Sequence, residues 1–330
     1  MSSNKLDIII GLNAAIISVT DEEPFILITK DGQDPNNAAS RDRLPFGPFD
    51  PIKHRTMDMG LRAWVSEQTG LDLAYVEQLY TFADRGRHAQ TTSTEHEISV
   101  GYLALHNPKE KASGEDKSKN GLWKKIYSYF PWEDLRGGKP ALIDDVIQPH
   151  LSLWIKASST PALRREREER AALCFGLGDM PWDEEKVLER YELLYEIGLV
   201  DETISDGRLN ESQTPESKLG RAMHQDHRRI LATALSRLRG KLKYRPVVFE
   251  LMPSSFTLFE LQRCVEAVTG HRLHKQNFRR QVEKTRLVKE TGHMTSGNEG
   301  RPAKMYKFRQ NVVKERIAPG LRVSPPGKKA

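Results

Sequence analysis

Cysteine is all but missing from this chain. Two thiols among 330 residues, Cys174 and Cys264, cannot build a disulfide framework, and both sit in apolar helical contexts. Long hydrophobic runs are missing as well. The most apolar stretch near the N-terminus, residues 8–19, is interrupted by Asn13 and preceded by a single lysine. It is too short to span a membrane and reads as strand rather than signal peptide, so no membrane partner is expected. The chain reads as intracellular, and a cytoplasmic location is expected. Internal repeats and low-complexity tracts are lacking, which excludes solenoids and fibrous arrays. His54 and His88 offer no metal-ligand spacing.

What is present is charge, unevenly placed. The chain carries a formal net charge of +6. Residues 221–330 hold 25 Lys+Arg against 8 Asp+Glu (+17), and residues 1–220 hold 26 against 37 (−11). Such a split predicts an acidic unit fused to one that meets a polyanion. The length suffices for two domains, each with its own core.

Residues 256–308 make the basic unit specific. Thr257 followed by Glu260 reads as a capping box, and Leu258, Leu261, Val265 and Val268 recur at helical spacing. Gly270 stops that helix. After a short turn, residues 275–284 form a second helix, with Phe278 and Val282 facing inward. Lys275, Gln276, Asn277, Arg279, Arg280 and Lys284 are left outward. Arg, Asn and Gln are the side chains that pair bidentately with base edges. Residues 287–290 and 305–308 read as two strands of a wing, with Arg301 and Lys304 at its base to reach phosphate. Helix, tight turn, basic helix and hairpin in that order make a winged helix-turn-helix, with double-stranded DNA as the expected partner.

The first half alternates strand and helix. Residues 7–19, 24–29, 76–82 and 98–106 read as strands. Residues 56–69 form an amphipathic helix with Leu61, Trp64 and Val65 on one face and Gly70 at its end. Residues 109–120 are charged, without apolar periodicity, and read as an insertion. Residues 141–170 are expected as helix, and Pro181 and Asp183 start another whose stripe is Leu188, Tyr191 and Leu194. Residues 206–217 read as a polar linker, and 220–240 as a basic helix entering the C-terminal unit.

Anchored on Glu67, Gly70 and Leu71, the loop-helix-Gly pattern at residues 44–71 resembles a Nudix box, G-x5-E-x7-R-E-U-x-E-E-x-G-U, in which U is apolar. Val65 fills the apolar position. Phe49 stands where the box has Gly, Arg55 at its first Glu, Ala63-Trp64 at its Arg-Glu pair, and Gln68 at its last Glu. Nudix hydrolysis needs two or three helix carboxylates to hold Mg²⁺ at a diphosphate, and only Glu67 survives of that set.

This degenerate domain is followed by Gln225-Asp226-His227, Phe256-Thr257-Leu258, Asn277-Phe278-Arg279-Arg280 and Gly300-Arg301-Pro302-Ala303-Lys304. Together they resemble the Nudix-related transcriptional regulators, the NrtR group, from Asp7 to Phe308. The resemblance implies an α+β fold: a Nudix-like α/β/α sandwich, a helical connector, and a winged helix-turn-helix domain. It implies a sensing domain over residues 1–150, a connector and dimerisation element over 151–220, and a DNA-binding domain with a basic tail over 221–330. It further implies a homodimeric repressor on a palindromic operator, controlling NAD or sugar metabolism genes. The effector would be a nucleotide-sugar diphosphate such as ADP-ribose. On that fold Arg43, Arg85 and Arg87 lie on loops near the cleft, where they would pair with phosphate, and Phe46 and Phe82 would stack a base. No catalytic residue, metal or cofactor is expected; Glu67 is the residual metal candidate, and Mg²⁺ enters only if hydrolysis is retained. The alternative is an active Nudix hydrolase of ADP-ribose or a related diphosphate, recognised by Mg²⁺-dependent release of AMP.

Overall fold

The computed structural model describes residues 7–29, 41–84, 95–107, 121–210, 212, 219–295 and 302–309. The expected insertion at 109–120 lies outside them, as do residues 211 and 213–217 of the expected linker.

Largely apolar strands, buried on both faces, build the sheet. Strand β1 (Asp7–Thr20) turns through Asp21 and Glu22, both at positive φ (49° and 64°), into β2 (Glu23–Thr29). Two left-handed central residues match the twist of an antiparallel hairpin. Next come β3 (Phe46–Pro48), helix α1 (Met57–Thr69), β4 (Tyr75–Phe82), β5 (Glu95–His106) and β6 (Gly121–Lys125). The strand order is β4-β5-β1-β2-β6, with β3 pairing with β1; β1 and β5 run parallel and the other pairs antiparallel. Leu12, Ala14 and Ile16 face α1, packing with Leu61 and Val65, while Ala15 and Ile17 belong to the core on the opposite side. The α1 helix is bounded as its sequence dictates: the Thr56 hydroxyl accepts from Met59 N, and Gly70 takes φ 72°.

Beyond the sheet the expected helix over 141–170 is broken. A π turn (Ile143–Ile147) leads into α2 (Gln148–Lys156), and α3 (Pro161–Phe175) starts afresh. Pro161 cannot continue a helix, and the Thr160 side chain caps the new one by accepting from Leu163 N. Helix α4 (Val187–Glu196) begins later than Pro181 suggests, with Tyr191 and Leu194 buried; α5 (Glu202–Ser205) follows.

The largest departure concerns residues 220–240. Helix α6 (His227–Leu242) does not stand apart as a basic element. It covers the sheet face opposite α1, with Ile230, Leu231, Leu235 and Leu238 fully buried. Four of its cations are paired internally, Lys241 with Glu77 among them. Arg228 pairs with Glu202 (3.1 Å), Arg229 with Glu192 (2.5 Å), and Arg239 with Glu133 (2.6 Å). Part of the +17 therefore neutralises carboxylates of the first 220 residues. The remaining elements are α7 (Leu258–Thr269), α8 (Lys275–Thr285), β7 (Val288–Met294) and β8 (Lys304–Phe308). No helix among the described residues is long and apolar enough to cross a membrane.

Candidate nucleic-acid interface and ligand cleft

The capping box forms as the sequence dictates. Glu260 N donates to the Thr257 hydroxyl (3.1 Å) and Thr257 N to the Glu260 carboxylate (2.8 Å), while Gly270 takes φ 76°. Residues 271–274 make the turn. Helix α8 then packs through Phe278 and Val282, 2% and 0% exposed. Lys275, Gln276, Asn277, Arg279, Arg280 and Lys284 all lie on its exposed side. Among their mutual contacts, Arg280 donates to the Asn277 side chain at 3.4 Å.

The wing is a two-stranded hairpin with one added bridge. β7 pairs with β8 through Val288↔Phe308, Lys289↔Lys307 and Glu290↔Tyr306, and Phe256 adds a bridge to Tyr306. Phe308 stacks on Phe249 with ring centroids 4.3 Å apart, which fixes the hairpin to the helical core. Lys304 is exposed but donates to the Glu290 carboxylate (2.9 Å), so its charge is partly neutralised across the hairpin. Arg301 lies outside the described residues. Three further exposed cations, Arg286, Lys289 and Lys307, escape the motif reading. Strand alternation separates Lys289 and Lys307 from the core-facing Val288 and Phe308, and is the signal that could find them.

In the first domain, β3 carries Phe46 against α6. The Phe46 ring meets His227 edge-on (5.4 Å), and the Arg43 guanidinium lies 5.7 Å from its centroid. The Leu44 backbone donates to His227 Nδ1 (2.9 Å), which places the ring proton on Nε2 when His227 is neutral. Arg43, Phe46 and His227 thus pack as one cluster, with His227 itself buried at 2% exposure. Asn13 lies in register with Phe46, fully buried, its side-chain oxygen without a hydrogen-bond partner. Phe82 departs from the expectation that it would stack a ligand base. It is 2% exposed and lies under Arg229 (4.9 Å), which makes it a core residue. Arg85 and Arg87 lie outside the described residues.

The eroded box positions have acquired another task. Trp64 Nε1 donates to Pro48 O (2.9 Å), and its indole covers Gly47 so closely that a β-carbon there would collide with it. The Gln68 amide clasps Phe46 at two points, accepting from its N–H (3.2 Å) and donating to its carbonyl (2.6 Å). A backbone donor and acceptor side by side fix which way the amide points. Where a Nudix helix would offer carboxylates to a metal, this helix holds β3 in place. Glu67 is exposed beside them, and the described residues contain no group of three His, Cys, Asp or Glu that could hold an ion. Restoring the box residue tests the clasp. In Gln68→Glu a carboxylate would face the Phe46 carbonyl and could not donate to it, so stability should fall by about 1–3 kcal/mol, measured by urea unfolding.

The two units meet at a charged node. Glu133, Arg190 and Arg239 are each buried, with Glu133 accepting from Arg190 at 2.5 and 3.0 Å and from Arg239 at 2.6 Å. Arg239 also donates to Val268 O (2.9 Å), Tyr127 OH to Ala267 O (2.7 Å), and Leu135 N to Gly270 O (2.8 Å). The C-terminal end of α7 is therefore held by groups of the first 135 residues and of α6. Burial alone would raise the Glu133 carboxyl, but the two guanidiniums hold it below the usual carboxylate range. Elsewhere on α7, Glu22 of the β1–β2 turn pairs with Arg263 (3.3 Å).

A mixed-sheet sandwich joined to a winged helix with a two-stranded wing is the architecture of a Nudix-type domain fused to a winged-helix module. Residues 248–308 match the family of NrtR DNA-binding winged helix domains. The whole chain shares the fold of Shewanella oneidensis NrtR: the free protein superposes with a TM-score of 0.54 at 18% identity, over 97% of this chain and 100% of that one. The same protein in complex with a 27mer DNA gives 0.53 at 18% identity, over 96% and 99%. In sequence the chain is 34% identical over 118 residues to the ADPR responsive transcriptional repressor NtrR of Acinetobacter baylyi. That alignment covers 36% of this chain and about half (47%) of the relative's length. The chain resembles the NrtR regulators in both of its parts.

Proposed function

We propose that this chain is a DNA-binding transcriptional repressor whose first domain senses a nucleotide diphosphate of the ADP-ribose type. The observation that carries the reading is α8. Six polar or cationic side chains stand on its exposed side, two apolar ones anchor it, and a winged-helix frame presents it. The name of the Acinetobacter relative and the DNA complex of the Shewanella protein support the same partner and effector classes. We place the sensor before about residue 150. The connector extends through α6, and the reader begins near residue 247, because α6 packs on the sheet.

Trp64 and Gln68 support a sensor without hydrolysis. Mg²⁺, if it bound, would have to come with the substrate's phosphates, since one helix carboxylate alone rarely retains it. The residues present do not fit a resident ion. Incubation of the protein with ADP-ribose and Mg²⁺ should release no AMP at enzyme-like turnover; sustained release would establish the hydrolase instead.

As a homodimer on a palindromic operator, each protomer would set one α8 into a half-site, and half-sites recur about one helical turn apart. Ligand bound against Arg43 and Phe46 would bias the placement of the two readers and so spoil their spacing. If each protomer neutralises about four phosphates, log affinity against log salt should fall with a slope near roughly −7. A slope near zero on any duplex would remove the DNA reading.

A further inference from the structure

One aromatic on α7 does not follow the helix's amphipathic pattern. Leu258, Leu261, Val265 and Val268 make its buried stripe, whereas Phe259 lies off that stripe and is 49% exposed. Its ring borders a cavity of about 200 Å³ at the seam between the two units. The first unit supplies Val19, near the end of β1, and Asp21, in the turn to β2. The second supplies Leu251 and Met252, together with Phe259 and Cys264 of α7. The Asn107 amide donates to Met252 O (2.6 Å) and so fixes one wall to the other. Close-packed interiors leave few voids larger than a water molecule, and an apolar cavity of about 150 Å³ is enough for benzene. The seam therefore has room for a single ring with a short substituent.

The charges at the cavity differ in how far they are engaged. Glu22 pairs with Arg263 (3.3 Å), and Glu260 accepts from Thr257 N (2.8 Å). Arg263 in turn donates to Glu266 (2.9 Å), with its guanidinium 4.9 Å from the Phe259 ring centroid. Asp21 is exposed and, among the described residues, forms no ion pair within 4.0 Å. The opening thus presents one unengaged carboxylate in front of largely apolar walls.

We propose that this seam cavity is a binding site for a small aromatic amine, its ring between Phe259 and the Leu251–Met252 wall and its ammonium at Asp21. An aromatic ring pairs with phenylalanine edge-on or offset, and an amphipathic group buries its apolar body while its charged end stays near water. The site shares no residue with the cluster at Arg43 and Phe46, and it stands whether or not the DNA-binding reading holds. Because both units supply its walls, a bound amine stabilises their docked arrangement and ties the winged helix to the sheet.

The experiment titrates the full chain with three compounds of one shape, benzylamine, benzyl alcohol and benzoate, followed by ligand-observed NMR. Benzylamine should bind with a Kd on the order of 1 mM, ordinary for so small a ligand. Benzyl alcohol should bind about two- to fivefold more weakly, since the ion pair it lacks is an exposed one, and benzoate more weakly still. Asp21→Asn should erase the preference for the amine over the alcohol. Asparagine accepts the left-handed conformation that Asp21 holds (φ 49°), so the turn survives the change. Cys264→Leu puts a larger side chain into the cavity and should remove binding of all three compounds. Should that variant fail to fold, Asp21→Asn decides alone. Equal affinity for amine and alcohol in the wild type overturns the proposal. So does a preference that survives Asp21→Asn, or binding that survives Cys264→Leu. Absence of benzylamine binding at about ten times the expected Kd overturns it as well.

Discussion

Glu133→Ala is expected to cost about 3–5 kcal/mol, because it leaves two guanidiniums buried without their shared carboxylate. Arg190 and Arg239 are both buried, and neither can lose its proton to escape the penalty. The loss should appear as a fall in the urea midpoint. It should also loosen the reader, since Arg239 holds Val268 O and the Glu133 carbonyl crowds Gly270. Hydrogen exchange at residues 265–270 would rise more than exchange at the α8 face if the node is what docks α7. Equal protection in the two proteins would show that the apolar packing of α7 suffices. The carboxyl is held below its ordinary range in the folded chain, so its contribution to stability is full above that range and is lost as pH falls through the folded value. The wild type should therefore lose stability on acidification below about pH 4, and the difference between it and Glu133→Ala should shrink there.

That node also marks where the sequence stops being legible. Local grammar is readable: the Thr257–Glu260 box, the Gly70 and Gly270 stops, and the Phe278 and Val282 anchors require only neighbours a few residues away. The break between α2 and α3 has a local signal too, since Thr160-Pro161 is a cap followed by a residue that cannot continue a helix. The role of α6 has none. Its arginines look solvent-facing because Glu133, Glu192 and Glu202 lie tens of residues away in sequence, and no periodicity connects them. Phe82 looks free to stack a base for the same reason, since the Arg229 that covers it belongs to a helix much later in the chain. The clasp of Phe46 by Gln68 hides in a motif position, where the eye looks for metal ligands and finds an amide. Pairings across long separations are set by the packed sheet, so the cleft and the seam become readable only in the fold.

Replacing Arg279 and Arg280 together by alanine should remove most sequence-specific DNA binding while leaving the fold intact. Both side chains are exposed, whereas α8 is anchored by the buried Phe278 and Val282. Removing the two arginines therefore costs little stability; exposed substitutions of this kind stay within about 0.5 kcal/mol. On DNA the arithmetic differs. A bidentate pairing with a base edge is worth about 1–3 kcal/mol of discrimination, so the absence of two such pairings weakens specific binding by roughly thirty-fold at the least. Binding to an unrelated duplex should fall much less, because the lysines of α8 and the wing remain. Gel shift on specific and unrelated duplexes, with thermal unfolding and gel filtration on the same samples, separates these effects. Equal weakening on the two duplexes would make Arg279 and Arg280 phosphate-binding residues, and unchanged affinity on both would show that another face of the domain reads the DNA.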